Sequence, residues 1–317
     1  MSIVAPLVLG AVAFAIPPSA SPPSASEVAS EVMADFQMEM DVKLLDAGAK
    51  PRRVLRYQPK PGSSVDLEMV NRQSMKMEMI GPDGKPIPLP GMGDMSPTSI
   101  IGMHQEVEQP VQSGLVPVQI RYTTATVEGV PPEVQQMMLA GMKGLEGLSF
   151  RMLVDPKTGK VEQVDVGSTE SGELYEGLQS MMDGFVRNLA QFPAEPVGPG
   201  ATWTIGMDMS FGGMELDATN EVTLTKVQGD RVEMSFNMVM KRGDGPFEMP
   251  GLPPGATVDF TRFDAKGSGT YVVDLGSMAS FSSSTTSIQM GVEVTGEGQS
   301  MTMNMSMVQE SELRPKR

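Results

Sequence analysis

Apolar and polar side chains alternate along most of this chain. The alternation is clearest in residues 65–69, 75–79, 203–209, 232–240 and 301–307, where Val, Leu, Ile, Met, Phe or Trp stands at every second position. Strict alternation buries one face of an extended segment and leaves the other in water, which is typical of antiparallel strands. Clusters rich in Pro, Gly and Asp separate these runs and predict turns.

Two segments depart from the period of two. From Ser171 to Phe192 the apolar residues recur at helical spacing and predict an amphipathic helix, which Pro193 ends. A second, weaker helical pattern runs over residues 132–145 and is diluted by Gly141 and Gly144. The long helix is predicted to pack on the sheet as a lid.

The two halves of the chain resemble each other. Each half opens with a Pro-Gly turn before a long strand, at Pro61-Gly62 and at Pro199-Gly200. We therefore predict a mainly β fold, an antiparallel curved sheet or sandwich built from two similar halves with one amphipathic helix between them. The predicted divisions are a signal peptide and tether (1–25), a first β-rich half (31–168), a bridging helix (169–195) and a second β-rich half (196–312).

The N-terminus predicts export. Residues 3–16 are almost continuously apolar, no charged side chain precedes Glu27, and small residues at 13–15, Ala20 and Ala25 offer cleavage sites. A run this short fits the apolar core of a signal peptide better than a membrane span, which needs about 20 residues. An uncleaved anchor is the alternative. We expect an extracytoplasmic protein, periplasmic or secreted, with no membrane span after cleavage.

Composition narrows the function classes. The net charge of −15 disfavours nucleic acid as a partner, because phosphate binding depends on Lys and Arg. Without cysteine there is no disulfide, thiolate nucleophile or cysteine-ligated metal, and the single His104 rules out a multi-histidine site. No phosphate-binding loop, dinucleotide fingerprint or nucleophile elbow occurs. We predict a non-enzymatic protein without a cofactor, and we expect His104 to lie at the surface.

The 30 methionines are the most distinctive feature of the composition. Most continue the apolar face of a strand, which favours core packing, but flexible thioethers can also line an adaptable apolar cavity. Thioethers are soft ligands as well, so Met-x-Met runs such as 301–307 leave Cu(I) binding as a further alternative. The candidate lining of an apolar-ligand site is Met181, Phe185, Met207, Met209, Met238, Met240, Met303 and Met305.

A local basic patch interrupts the acidic chain between residues 50 and 60. It consists of Lys50, Arg52, Arg53, Arg56 and Lys60. Such a patch is typical of the solvated face of a hairpin, and a docking surface is the alternative.

Several short motifs resemble a known family. They are residues 44–48 (LLDAG), 55–62 (LRYQPKPG), 154–161, 196–203 (PVGPGATW) and 267–271 (GSGTY). Across roughly residues 36–312 the chain is similar to a bacterial exported family called domain of unknown function 6263. The resemblance implies an envelope or secreted location and no established activity.

These observations lead to one functional prediction with two alternatives. We expect binding of a lipid or another apolar or amphipathic ligand in the cell envelope. The first alternative is a structural or interaction module of the envelope with no small ligand, and the second is Cu(I) binding by Met-x-Met strands. The sequence indicates no particular protein partner.

Overall fold

The computed structural model is an antiparallel β-sheet with one short helix among the residues it describes, which are 41–87, 96–142, 145–166, 190–211, 214–243, 257–296 and 299–316. Its 13 strands all belong to one sheet, which is not closed. The prediction of a mainly β, antiparallel fold is confirmed. Of the two arrangements left open by the sequence, the structure is the single sheet and not the sandwich.

The strands are numbered in chain order. Their bounds are β1 (Asp41–Asp46), β2 (Ser64–Ile80), β3 (Pro86–Ile87), β4 (Thr98–Val107), β5 (Val116–Glu128), β6 (Ser149–Val154), β7 (Val161–Val166), β8 (Thr202–Phe211), β9 (Met214–Gln228), β10 (Arg231–Arg242), β11 (Thr257–Asp274), β12 (Ser280–Gly296) and β13 (Gln299–Pro315). The helix α1 spans Pro132–Met142, where the weaker helical pattern predicts one.

The sheet order joins the two parts of the chain through their long central strands. The order is β1-β8-β9-β10-β11-β12-β13-β2-β4-β5-β6-β7, with β3 beside β2. Strands from residues 202–315 therefore lie together, strands from 64–166 lie together, and the β13–β2 pairing connects them. β1 lies apart from the other strands of the N-terminal part, because it pairs with β8 at the far edge.

One face of the sheet carries the hydrophobic core, and we call it the inner face. The buried and exposed positions alternate along β10 as the sequence predicts, and they do so along β2 apart from Val70, which is buried in the outward register. The core is one continuous cluster with members from both parts of the chain. The largest fully buried side chains are Trp203, Tyr271, Phe150, Ile101, Ile120, Met152, Ile205, Leu224, Met234 and Met238.

A segment between β1 and β2 crosses one end of the sheet, and we call it the belt (residues 47–63). Arg53 and Val197 exchange two backbone hydrogen bonds of 2.9 Å, and Gln58 N–H donates to the Leu275 carbonyl at 2.8 Å. Farther along the belt, Gly62 N–H donates to the Val107 carbonyl at 2.8 Å. The belt thus ties the strands of residues 202–315 to β4.

The belt starts at a position that only glycine can occupy. Gly48 has φ of 72°, and a β-carbon there would lie 2.3 Å from the Gly198 carbonyl oxygen. Left-handed backbone and this close approach both exclude a larger residue. Two belt side chains, Leu55 and Tyr57, enter the core and are 3% and 5% exposed.

The basic patch belongs to the belt and not to a hairpin. Arg52 donates to the Gly48 carbonyl, Arg53 to the Gly229 carbonyl and Arg56 to the Lys157 carbonyl. Lys60 forms a surface ion pair with Asp230 that lowers the pKa of that carboxyl. Arg53 and Arg56 therefore hold the belt against the turns at Gly229 and Lys157, whose carbonyl groups accept their hydrogen bonds.

The predicted helix at 171–192 lies outside the described residues up to position 189. The chain is described again from Ala190, which is 2% exposed. The indole Nε1–H of Trp203 donates to the Gln191 carbonyl at 3.1 Å, and the ring of Phe192 lies 5.6 Å from that of Tyr57. Residues 190–192 are irregular and enter the interior beneath the belt.

Candidate ligand-binding face

The inner face is almost free of charge. Among the described residues of β2 and β8–β13, the inward register consists of apolar, Gly, Ser, Thr, Asn and Gln side chains, with Arg242 as the one charged group. The Arg242 guanidinium stacks over the ring of Phe260, 4.5 Å from its centroid, near the end of β10. The acidic excess of the chain therefore lies away from this part of the inner face.

Three chemically different zones follow one another along the inner face of β2 and β13. Next to the belt, the paired residues are Met69 and Leu313, which join the core. The next two inward positions on each strand are amides or a hydroxyl, and the last three are methionines. The change from apolar to polar and back occurs within one unbroken register, so both strands present the same zones side by side.

The middle zone is polar and hydrogen-bonded, and we call it the polar band (Asn71, Gln73, Ser284, Thr286, Gln309 and Ser311). Ser311 Oγ–H donates to Asn71 Oδ1 at 2.8 Å, and Gln309 Nε2–H donates to Ser311 Oγ at 3.3 Å. Gln73 and Thr286 are half-buried, whereas the other members are buried. Buried polar groups are costly unless they are bonded, and Asn71, Gln309 and Ser311 bond to one another without a charged partner.

The outer zone consists of methionines in directly opposed pairs, and we call it the methionine ladder (Met75, Met77, Met79, Met303, Met305 and Met307). The pairs are Met75–Met307, Met77–Met305 and Met79–Met303. Met305 and Met307 are 8% and 3% exposed. The other four are half-buried, so the ladder keeps apolar surface in contact with solvent.

The predicted lining residues divide into separate groups in the structure. Met181 and Phe185 lie outside the described residues, and Met209 belongs to β8 with a side chain that is likewise not described. The three buried residues Met207, Met238 and Met240 lie on the inner face of β8 and β10. Met303 and Met305 belong to the ladder, and β11 and β12 separate them from β10.

The methionines of β2 and the polar band were not among the predicted lining residues. The odd register that Met75, Met77 and Met79 share with Leu67 and Met69 is a sequence signal for their face. Their pairing with β13 is not visible in the sequence, because the partners are far apart along the chain. The polar band has no hydrophobic alternation, so periodicity alone does not find it.

Two buried tyrosine hydroxyls lie near the belt end of the core. The Tyr271 hydroxyl has no hydrogen-bond partner among the described residues, and the Tyr57 hydroxyl interacts with the backbone of Ala190. Burial raises the pKa of both phenols above the usual range, and the charge of Tyr57 adds to the shift at Tyr271. Both groups are therefore neutral donors at physiological pH.

His104 lies on the opposite side of β4 from the core and has an acidic partner across the strand. Its Nδ1 is 2.7 Å from Asp66 Oδ1, and both side chains are substantially exposed to solvent. This surface pair is far from a catalytic arrangement, since no hydroxyl or thiol nucleophile bonds to the ring in the described structure.

The described ranges contain neither a cluster of metal-binding side chains nor a helix that could span a membrane. No three side chains of His, Cys, Asp or Glu lie close enough to hold a metal ion together. The one described helix, α1, is too short to cross a bilayer.

Comparison with known proteins gives no family. No protein-family model and no curated protein match the chain. Among solved structures it is similar to OccK11 (OpdR) of Pseudomonas aeruginosa, with 7% identity, a TM-score of 0.19 and coverage of 82% of this chain and 100% of that one. An outer membrane channel from Pseudomonas putida F1 has 7% identity, a TM-score of 0.15 and coverage of 81% and 97%. These scores are too low to carry an argument, and the resemblance to domain of unknown function 6263 stays a prediction.

Proposed function

We propose that this chain is a non-enzymatic exported protein that binds an amphipathic ligand along the inner face of β2, β12 and β13. The observation that carries the proposal is the polar band lying directly beside the half-buried methionine ladder. The ladder receives the apolar chain of the ligand, and the half-buried Gln73 and Thr286 meet its polar end.

The ladder supplies the apolar part of this site. From Met75 to Met79 the strand rises about 14 Å, at about 3.4 Å per residue. Four of its methionines are half-buried, so a ligand chain lying on them would remove further apolar surface from water. Methionine suits such a contact because its unbranched side chain adapts to chains of different shape.

The polar band defines the class of head group. Its amides and hydroxyls offer donors and acceptors but no charge, and the described inward residues of β2, β12 and β13 include no Lys or Arg. An uncharged head group such as a glycerol, an alcohol or an amide suits these partners. A phosphate or carboxylate would be buried there without a counter-ion, which is unfavourable.

The location outside the cytoplasm is part of the proposal. It is supported by the apolar run at residues 3–16 and by the resemblance to an exported family. The absence of charged pairs on the described inner face favours binding over acid–base catalysis there.

Ligand binding is tested first without adding a ligand. The mature protein is purified, extracted with organic solvent and examined by mass spectrometry for co-purifying lipid. We expect an uncharged amphipath in the extract. Titration with the apolar fluorophore N-phenylnaphthylamine, followed by competition with a monoacylglycerol and with the fatty acid of equal chain length, then ranks the head groups. The monoacylglycerol is expected to compete better.

Two matched variants locate the site. Met77→Gln places an amide in the ladder, whereas Ser74→Gln places the same side chain on the exposed outer face of β2. Met77→Gln replaces an apolar contact with the bound probe by a polar one, so we expect it to weaken probe binding by roughly tenfold or more. Ser74→Gln should have no effect on probe binding. A clean extract together with equal probe binding by both variants contradicts the proposal and favours a structural module of the envelope.

A further inference from the structure

The methionine ladder brings together two Met-x-Met-x-Met runs that are remote in sequence. β2 contributes Met75, Met77 and Met79, and β13 contributes Met303, Met305 and Met307, with each residue directly opposite one from the other strand. Met290 of β12 lies opposite Met305 on its other side. Sulfur-bearing side chains are therefore neighbours both along and across the strands.

Other inner-face methionines lack this arrangement. Met207 lies opposite Ala218, Met240 lies between Ala218 and Ala265, and Met238 lies between Asn220 and Gly267. Among the described strands, Met–Met pairs occur between β2 and β13 and at Met290–Met305. Directly opposed methionines thus distinguish the ladder from the other described methionines of the inner face.

The spacing of a sheet allows several of these sulfurs to reach one point. Opposed residues have β-carbons about 4.5–5.5 Å apart, and successive residues on one face are about 7 Å apart. A methionine side chain has three rotatable bonds, so the thioethers of two adjacent pairs can converge. A point between Met75–Met307 and Met77–Met305 is surrounded by four such side chains.

The donor chemistry selects the ligand. Thioethers are soft and uncharged, and such ligands suit soft monovalent ions rather than Mg²⁺, Ca²⁺ or Zn²⁺, which need oxygen, imidazole or thiolate ligands. The net charge of −15 attracts cations toward the protein over long range. Met77 and Met79 are half-buried, which gives an ion a route to the buried Met305 and Met307.

We propose that the methionine ladder binds a soft monovalent metal ion, Cu(I) or Ag(I), through three or four thioether sulfurs from adjacent cross-strand pairs. The site is distinct in chemistry from the amphipathic-ligand site, although both use the ladder. An apolar ligand requires the surface of the methionines, whereas the metal ion requires their sulfur.

That difference determines the variants. Met77→Leu combined with Met305→Leu removes two opposed sulfurs and conserves the apolar volume, which sheets and cores tolerate well. Met207→Leu combined with Met240→Leu is the control, because neither residue has a methionine across the strand.

The experiment uses the mature full-length protein. Cu(I) is titrated without oxygen against a coloured competing chelator, and Ag(I) is titrated with native mass spectrometry for stoichiometry. The wild type and the control are expected to bind alike, and the ladder variant at least roughly tenfold more weakly, because half of a four-sulfur set is gone. Binding of N-phenylnaphthylamine is tested separately, by Met77→Gln against Ser74→Gln, so failure of the metal proposal and failure of the ligand proposal are separate results.

A second measurement uses the wild-type protein and therefore does not depend on the folding of a variant. With ¹³C-methyl methionine, one equivalent of Ag(I) shifts the resonances of the ladder methyl groups and leaves those of Met207 and Met240 in place. Unshifted ladder resonances, or equal metal affinity of the ladder variant and the wild type, overturn the inference.

Discussion

The two ends of the same strands lie in different environments. At the belt end, Leu55 and Tyr57 cover the strand ends and are nearly inaccessible to solvent. At the other end of β2, Met75 and Met79 are only half-buried, although the alternation of inward and outward side chains continues unchanged. The difference therefore does not come from the pattern of the strands themselves.

The difference comes from what lies across the strand ends. The belt supplies backbone hydrogen bonds to Val197, Leu275 and Val107 and fills the interior with side chains. Gln105 reinforces this closure, because its Nε2–H reaches the Ser277 carbonyl at 2.6 Å from β4. We expect changes at the belt end to affect the stability of the fold most and changes at the ladder end to affect the proposed binding surface.

The largest effect is expected from emptying the belt end. Tyr57→Ala removes a buried aromatic ring that packs on Phe192, and we expect the free energy of unfolding to fall by about 3–5 kcal/mol. Urea unfolding followed by circular dichroism measures it. Tyr57→Phe is the control and should lose much less stability, because it keeps the buried ring and removes only the interaction of the hydroxyl with the Ala190 backbone. A small loss with Tyr57→Ala would mean that the belt is not a stability element.

Alkaline pH should weaken the belt end next. Burial raises the pKa of Tyr57, Tyr122 and Tyr271 in the folded protein, whereas unfolded tyrosines titrate near about 10. Above about pH 10 the unfolded chain releases protons that the folded chain keeps, so the free energy of unfolding falls as pH rises, by up to about 1.4 kcal/mol per pH unit for each tyrosine.

This pH dependence is measured by urea unfolding at several pH values and by tyrosinate absorbance. Tyr271→Phe removes one titrating group and should make the decline shallower while leaving stability at pH 7 nearly unchanged. A stability that stays constant from pH 9 to pH 11 would contradict the burial of these phenols.

A smaller loss of stability is expected from removing the Gln105 side chain, which bonds to the belt end from β4. Gln105→Leu removes the bond to the carbonyl of the half-buried Ser277, which should cost about 1–2 kcal/mol. The matched change Gln119→Leu alters a side chain on the outer-facing register of β5 and should cost less. Equal costs in urea unfolding would argue against a closing role for Gln105.

The smallest effect is expected at the ladder end. Met77→Ala shortens a half-buried side chain beside open surface, so we expect a loss of about 1 kcal/mol or less in the same unfolding measurement. Probe binding should fall clearly in the same variant. A loss of stability as large as that of Tyr57→Ala would erase the proposed division between the two ends.

Periodicity predicts the long strands well and misses others for a clear reason. The alternation of residues 75–79 and 301–307 lies within β2 and β13 as expected. The first half of β12, residues 280–287, is Ser- and Thr-rich on both faces and has no hydrophobic contrast. Its inward Ser284 and Thr286 continue the even register of Ile288 and Met290. This shared register shows which face they lie on only after the bounds of the strand are known.

The basic patch shows a second limit of the sequence. Its charges indicate a solvated surface, and several of these side chains are indeed exposed. Their bonds to the Gly229 and Lys157 carbonyls depend on turns more than a hundred residues away along the chain. Local charge patterning carries no information about such partners.

By itself, the sequence determined which face of each long strand is apolar, where several turns occur, and that the inner face carries many thioethers and few charges. These properties follow from the order of side chains along an extended backbone, which has a period of two. The tertiary structure alone decided that β13 pairs with β2, so that three methionines meet three methionines beside a polar band. Pairing between distant strands depends on the competition among all strands for partners, and no local pattern encodes it.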